Sequence, residues 1–184
     1  MSLVELIAQA DERALAASGL ACLDRCVPLL GGDDEVLRPL WGSLADTGDW
    51  TEGLEKARAA LACADPGAAV EDQAAELARR MLDAAPAECT GAGVRVWADA
   101  CSVASLQIHR LLDPAADASS VDSRREGSTE GMPPLVAAEL RRQVAVLELL
   151  TAHGAAGLRG ALETSTEGRR VLRAVVSRRA RGRG

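Results

Sequence analysis

Few residues have the type and spacing for chemistry. The stretch "CLDRC" puts Cys22 and Cys26 one helical turn apart, where two thiolates could meet one metal ion or a redox partner. A zinc site wants about four ligands, yet no C-x-x-C is present, and neither His109 nor His153 stands at ligand spacing to another His or Cys. Flanked by Leu23 and Val27, the two cysteines read as small core residues. Cys101 reads the same way. Ser105 and His109, also one turn apart, suggest a nucleophile beside its base. No orienting acid is identifiable, and no nucleophile-elbow pattern surrounds the serine. His153 has a simpler role, since an imidazole in the last turn of a helix favours the negative end of its dipole.

The acids offer little more. "GGDDEV" and the series Asp46, Asp49, Glu52, Glu55 lack the ligand order of an EF-hand. Asp34 and Asp49 read as N-caps, with Glu52 completing a capping-box spacing. Leu106 and Leu150 precede the two histidines by three positions, so the Glu-x-x-His pairs of carboxylate-bridged iron sites are missing. "GAG" at Gly91–Gly93 is too short for a phosphate or dinucleotide loop. The expectation is no catalytic constellation, no metal and no cofactor.

The elements that must position these residues are helical. Ser2 and Glu5 form a capping box, and Leu3, Ile7 and Ala10 open an apolar side that continues through Leu23, Val27 and Leu30, with a break expected near Gly19. Pro28 predicts a kink or stop. Further helical patterns run over 34–44, 50–64 and 68–85. Another, over 94–112, carries Val94, Trp97, Cys101, Ala104, Ile108 and Leu111 on one stripe. Residues 114–131 are polar and rich in small side chains, and read as a mobile loop or linker. Pro133 and Pro134 introduce a strong helix that Gly154 ends. Thr164 and Glu167 announce a last one, and 177–184 reads as a flexible basic tail. The fold expected is an all-α bundle of about seven or eight helices, one domain over 1–184, with the polar loop before the last two.

Composition agrees. The 184 residues include 36 Ala but no Phe or Tyr, so Leu, Val and Ala must build the core around Trp41, Trp50 and Trp97. Twenty arginines against a single Lys56 suggest GC-rich coding, and so a bacterium. Five cysteines, an odd number, fit reduced thiols. The start, "MSLVELIAQADER", lacks the basic and apolar regions of an export signal, and no apolar run approaches the roughly 18 residues of a membrane span. A cytoplasmic location is expected.

"LWGSLADTGDWTEGLEKARAALACADP", Leu40 to Pro66, resembles a single tetratricopeptide unit: Leu40 and Leu44, "GDW" at the turn, Leu54, then Ala60 and Leu61 before "DP". No second unit follows at the family's spacing of about 34 residues. The resemblance implies a protein-binding groove and no catalytic residues. The same features serve any helical pair that needs glycine at its turn and small residues at its crossing.

Charge supplies the clearest asymmetry. Residues 1–167 carry 14 basic and 27 acidic groups, whereas 168–184 carry seven arginines and no acid, on a chain of net charge -6. Val171, Leu172, Val175 and Val176 form a stripe expected to be buried. Arg169, Arg170, Arg173, Arg178, Arg179, Arg181 and Arg183 are the candidate partner-binding residues. A non-enzymatic protein-interaction or regulatory module, docking an acidic protein surface or another copy of itself, makes the fewest demands. The alternatives are a nucleic-acid-associated factor and a small-molecule-binding helical domain. The acidic body and the lack of interleaved aromatics weigh against nucleic acid. Anaerobically purified protein is expected to carry no stoichiometric zinc, copper or iron and to titrate five free thiols after unfolding. One metal per chain, lost on changing Cys22 and Cys26 to Ser with the fold retained, would overturn the packing reading.

Overall fold

Every residue from Ala14 to Cys26 is buried in a helix that runs from Glu12 to Cys26. A helix covered on all sides needs neighbours all round, and this one, α2, is packed by most of the others. The computed structural model describes residues 1–46, 48–62 and 72–182. Among these the chain is all-α: α1 (Leu3–Gln9), α2, α3 (Arg38–Leu44), α4 (Trp50–Ala62), α5 (Asp72–Asp83), α6 (Gly91–Leu112), α7 (Val121–Glu126), α8 (Pro134–His153) and α9 (Leu158–Arg181). Around α2 lie α6, α9, α8, α3 and α5, and α8 also packs on both α6 and α9.

Local chemistry sets the helix ends. Ser2 Oγ accepts from the Glu5 amide at 3.2 Å while the Glu5 carboxylate accepts from the Ser2 amide at 2.7 Å, closing the capping box. α1 stops at Ala10, and Asp11 caps α2 by accepting from the Ala14 amide at 2.8 Å. The break therefore falls at Ala10–Asp11 and not near Gly19. Gly19 lies inside a continuous helix because the Trp97 ring needs its space: a β-carbon there would stand 2.7 Å from Trp97 Cζ3. Pro28 follows the last turn of α2 in a 3₁₀ turn, Val27–Leu29. Gly154, at φ 53°, ends α8.

Two N-cap readings are corrected. α9 starts at Leu158, and Thr164 caps nothing: its hydroxyl donates to the Gly160 carbonyl at 2.9 Å, as Ser165 and Thr166 donate to Ala161 and Leu162 inside the same helix. Asp34 is not an N-cap either. Asp33 accepts from the Glu35 amide at 2.7 Å, while Asp34 is drawn into ion pairs with α9. Asp49 does cap, accepting from the Glu52 amide at 2.9 Å.

All three tryptophans are buried, each with its indole N–H donated: Trp41 to Asp24, Trp50 to the Pro86 carbonyl at 2.8 Å and Trp97 to the Met81 carbonyl at 2.9 Å. Trp50 and Trp97 meet edge to face, centroids 5.9 Å apart. No helix among the described residues is long and apolar enough to cross a membrane.

The stretch 114–131, expected as a loop, has an order that its polarity did not suggest. Ser120 caps α7, and Gly127, at φ 117°, ends it. Arg124 is buried: its guanidinium grips Asp117 at 2.6 and 3.3 Å and donates to the Ser128 and Glu130 carbonyls at 3.0 and 2.9 Å. One planar fork thus satisfies acceptors on both sides of α7. Arg125 ties α7 to α6 through Asp99 and the Ser102 hydroxyl. Likewise 177–181, expected as flexible tail, continues α9; residues 183 and 184, with Arg183, lie outside the described residues. Arg124→Ala is expected to cost about 3–5 kcal/mol, because it strands Asp117 and two carbonyls. It should also turn 114–131 into the first site of limited trypsin digestion. Urea unfolding and timed digestion check both, and unchanged behaviour in both would refute the role given to Arg124.

Candidate functional site

α6 presents a second buried stripe, Ser102, Ser105 and His109, beside its apolar one. The Ser105 hydroxyl donates to Glu139 Oε1 on α8 at 2.7 Å, and does not meet the imidazole. His109 Nδ1 lies 2.7 Å from the backbone carbonyl of Ser105, an acceptor, so Nδ1 carries the proton. Its Nε2 stands 3.5 Å from Glu139 Oε2. The nucleophile–base pairing suggested by the spacing is therefore not formed. Both side chains serve a buried network whose hub is Glu139.

Glu139 also takes two hydrogen bonds from Arg25 on α2, at 2.7 and 2.8 Å, and one from Gln143 at 2.8 Å. Gln143 accepts from Ser102 at 2.6 Å, which in turn accepts from Arg125. Burial works to raise the Glu139 carboxyl, but Arg25, His109 and Gln143 outweigh it and hold it down at about 2. Burial keeps His109 below its ordinary value despite the facing carboxylate. Burial also pushes Cys22 up to about 12 and raises Cys26 and Cys101 well above the ordinary thiol value, so these thiols stay protonated. Cys22 Sγ accepts from Arg25 at 3.5 Å, and Cys26 lies 3.8 Å from the Ser105 hydroxyl. Among the described residues, no three His, Cys, Asp or Glu side chains gather as metal ligands; Cys63 lies outside them.

Next to Arg25 in sequence, Asp24 makes the opposite pair. It is bound by Arg169 of α9 and accepts from the Trp41 indole at 2.9 Å. Burial raises its carboxyl against these partners. Asp34 extends the clamp to Arg173 and, at 3.7 Å, to Arg169. The candidate arginines are thus sorted. Arg169 is buried inside the chain, Arg173 is half-exposed and paired, and Arg179 is half-buried and donates to the Leu112 carbonyl at 3.3 Å. Arg170, Arg178 and Arg181 remain exposed. Of the apolar stripe, Leu172 is fully buried, whereas Val171, Val175 and Val176 are half-buried.

Under the last turns of α9 opens a cleft of about 550 Å³. Leu112 and Pro114 wall it from α6 and beyond, Pro134, Leu135 and Ala138 from α8, and Val171 and Val175 from α9; Arg142, Arg178 and Arg179 line it with Asp113. Asp113 is already spent, since its two oxygens accept from the Ala115 and Leu135 amides at 2.9 and 2.8 Å. With three arginines against this one carboxylate, the charged side chains lining the cleft are net positive. No family model, curated protein or solved structure matches the chain.

Sequence reasoning missed Asp24, Arg25, Glu139, Gln143 and Arg142. A signal was present: "CLDRC" sets a charged pair inside an apolar helix, and Glu139 and Gln143 lie one turn apart among Val and Ala. Glu139→Gln is expected to cost about 3–5 kcal/mol in urea unfolding, because Arg25 would lose its counter-charge while buried. The pH signs follow from linkage. The depressed Glu139 gives stability that is present above its ordinary 4.5 and lost as pH falls toward about 2. His109, lowered from 6.5, resists a proton that the unfolded chain accepts, so stability declines as pH falls below 6.5. Thermal midpoints measured against pH should show that decline flattened below about pH 6.5 in His109→Gln.

Proposed function

We propose that the chain is a non-enzymatic helical interaction module that docks an acidic protein surface through the exposed arginines of α9. The observation that carries this reading is the sorting of those arginines. Arg169 and Arg173 are consumed by Asp24 and Asp34, while Arg170, Arg178 and Arg181 make no ion pair among the described residues. They share a face of α9 with Ala174 and Ser177, also exposed, so acidic groups can approach the helix closely.

Nucleic acid is served less well by the same face. Three arginines neutralise few phosphates, and the acidic remainder of the chain opposes the approach of a polyanion. With Trp41, Trp50 and Trp97 buried and no Phe or Tyr present, there is no exposed Trp, Tyr or Phe ring on which a base could stack. The tetratricopeptide-like hairpin belongs to the same reading, as that family binds proteins.

The double variant Arg170→Gln/Arg181→Gln should leave stability within about 0.5 kcal/mol. It should weaken capture of a discrete, nuclease-resistant protein from native lysate, most clearly at low salt, where exposed charges are screened least. Capture that vanishes with nuclease would favour nucleic acid. Association unchanged by the variant would remove the docking role from this face.

A further inference from the structure

Gly168 is where two guanidinium stems from different helices converge. A β-carbon there would run into Cδ of Arg25, from α2, and would lie 3.0 Å from Cδ of Arg142, from α8. Both arginines have a buried Nη1 with no hydrogen-bond partner. Arg25 is otherwise matched by Glu139. Arg142 is not: its side chain is 13% exposed, it makes no hydrogen bond among the described residues, and its one ion pair reaches Glu167, itself 73% exposed, at 3.8 Å. That separation is beyond hydrogen-bond range. A guanidinium so far removed from water without an acceptor is costly.

Arg142 also lines the cleft under α9, whose walls are otherwise mainly Leu112, Leu135, Ala138, Val171 and Val175. Its volume falls within the roughly 300–1,000 Å³ common for small-molecule sites, which pair apolar walls with a few placed polar groups. From the unmatched arginine, the spent Asp113 and the apolar walls together, we infer that the cleft is a binding site for a small molecule with an apolar body and a single carboxylate. The apolar body lies against Leu135, Val171 and Val175. The carboxylate takes paired hydrogen bonds from Arg142, in the bidentate manner that suits this side chain. Because the contact to Glu167 is long and solvated, a ligand carboxylate displaces it at little cost. The docking face shares only Arg178 with this cleft; Arg170 and Arg181, the two docking residues changed in the double variant, do not line it.

The probes are octanoate and octan-1-ol, equal in chain length and different in charge, titrated by calorimetry into the full chain, with methyl NMR shifts to locate them. Octanoate should bind one to one, at least about tenfold more tightly than octan-1-ol, and shift the methyls of Leu135, Val171 and Val175. Arg142→Gln should bring octanoate down to the affinity of the alcohol and leave the alcohol unchanged. Should Arg142→Gln prove poorly folded, Ala138→Trp fills the cleft from an α8 position and should abolish both. Arg170→Gln/Arg181→Gln should bind octanoate as the parent does, so the docking reading can fail while this one stands. Absence of saturable octanoate binding, equal affinity for the two probes, or octanoate binding that survives Arg142→Gln in the folded protein overturns the assignment.

Discussion

Two neighbouring residues at the end of α2, Asp24 and Arg25, fix the arrangement of the bundle's second half. Their side chains leave the helix toward different neighbours: Asp24 takes Arg169 from α9, and Arg25 takes Glu139 from α8. Neither pair is in itself a large gain in stability, because removing four charged groups from water roughly offsets their attraction. What they add is register. If α8 slid one turn along α2, Glu139 would leave Arg25 as a buried charge without its partner, and the same holds for α9 through Arg169. A core of Leu, Val and Ala, with few shapes to distinguish one packing from the next, benefits from such markers. Satisfying the rest of Glu139 then recruits Ser105 and Gln143, and through Ser102 it reaches Arg125 and α7.

Arginine rather than lysine suits this economy. A planar fork can end a helix and grip a neighbour at once. Arg95 donates to the Ile7, Ala8 and Ala10 carbonyls at the end of α1, Arg58 donates to those of Leu82, Asp83 and Ala85 at the end of α5, and Arg124 does the same around α7. Much of the basic charge is therefore structural, which is why counting arginines by position overstates the charge available to a partner.

The sequence displayed the helical class, the α8 boundaries, the stop at Pro28, the Ser2–Glu5 capping box and the Asp49 N-cap, because those signals are local. It did not display which charged residues face inward. Arg169 and Arg170 are adjacent and chemically identical, yet one is buried against Asp24 and the other exposed, a difference decided by how α9 is rotated on α2. Ser105 and His109 satisfied the spacing of a catalytic pair, but the orientation that mattered was set by Glu139, 34 positions away. In the stretch 114–131, small polar residues read as a mobile loop, whereas the stretch contains α7. The network that orders it depends on Arg124 finding Asp117 and two carbonyls together, and no periodic pattern announces that.

The position of the cleft follows from where the clamps stop. Asp24 and Asp34 hold α9 at Arg169 and Arg173, and Leu172 between them is fully buried. Beyond that turn α9 continues to Arg181 with half-buried valines and exposed arginines. Its contacts there reach the ends of α6 and the start of α8, elements that meet at Asp113 and leave space between them. The helix is thus anchored by ion pairs at one half and less buried at the other, and the cleft lies under the less buried half. Gly168 marks the boundary. By omitting a side chain it lets Arg25 and Arg142 pass, so the register clamp on one side and the unmatched guanidinium on the other arise from the same close approach of three helices.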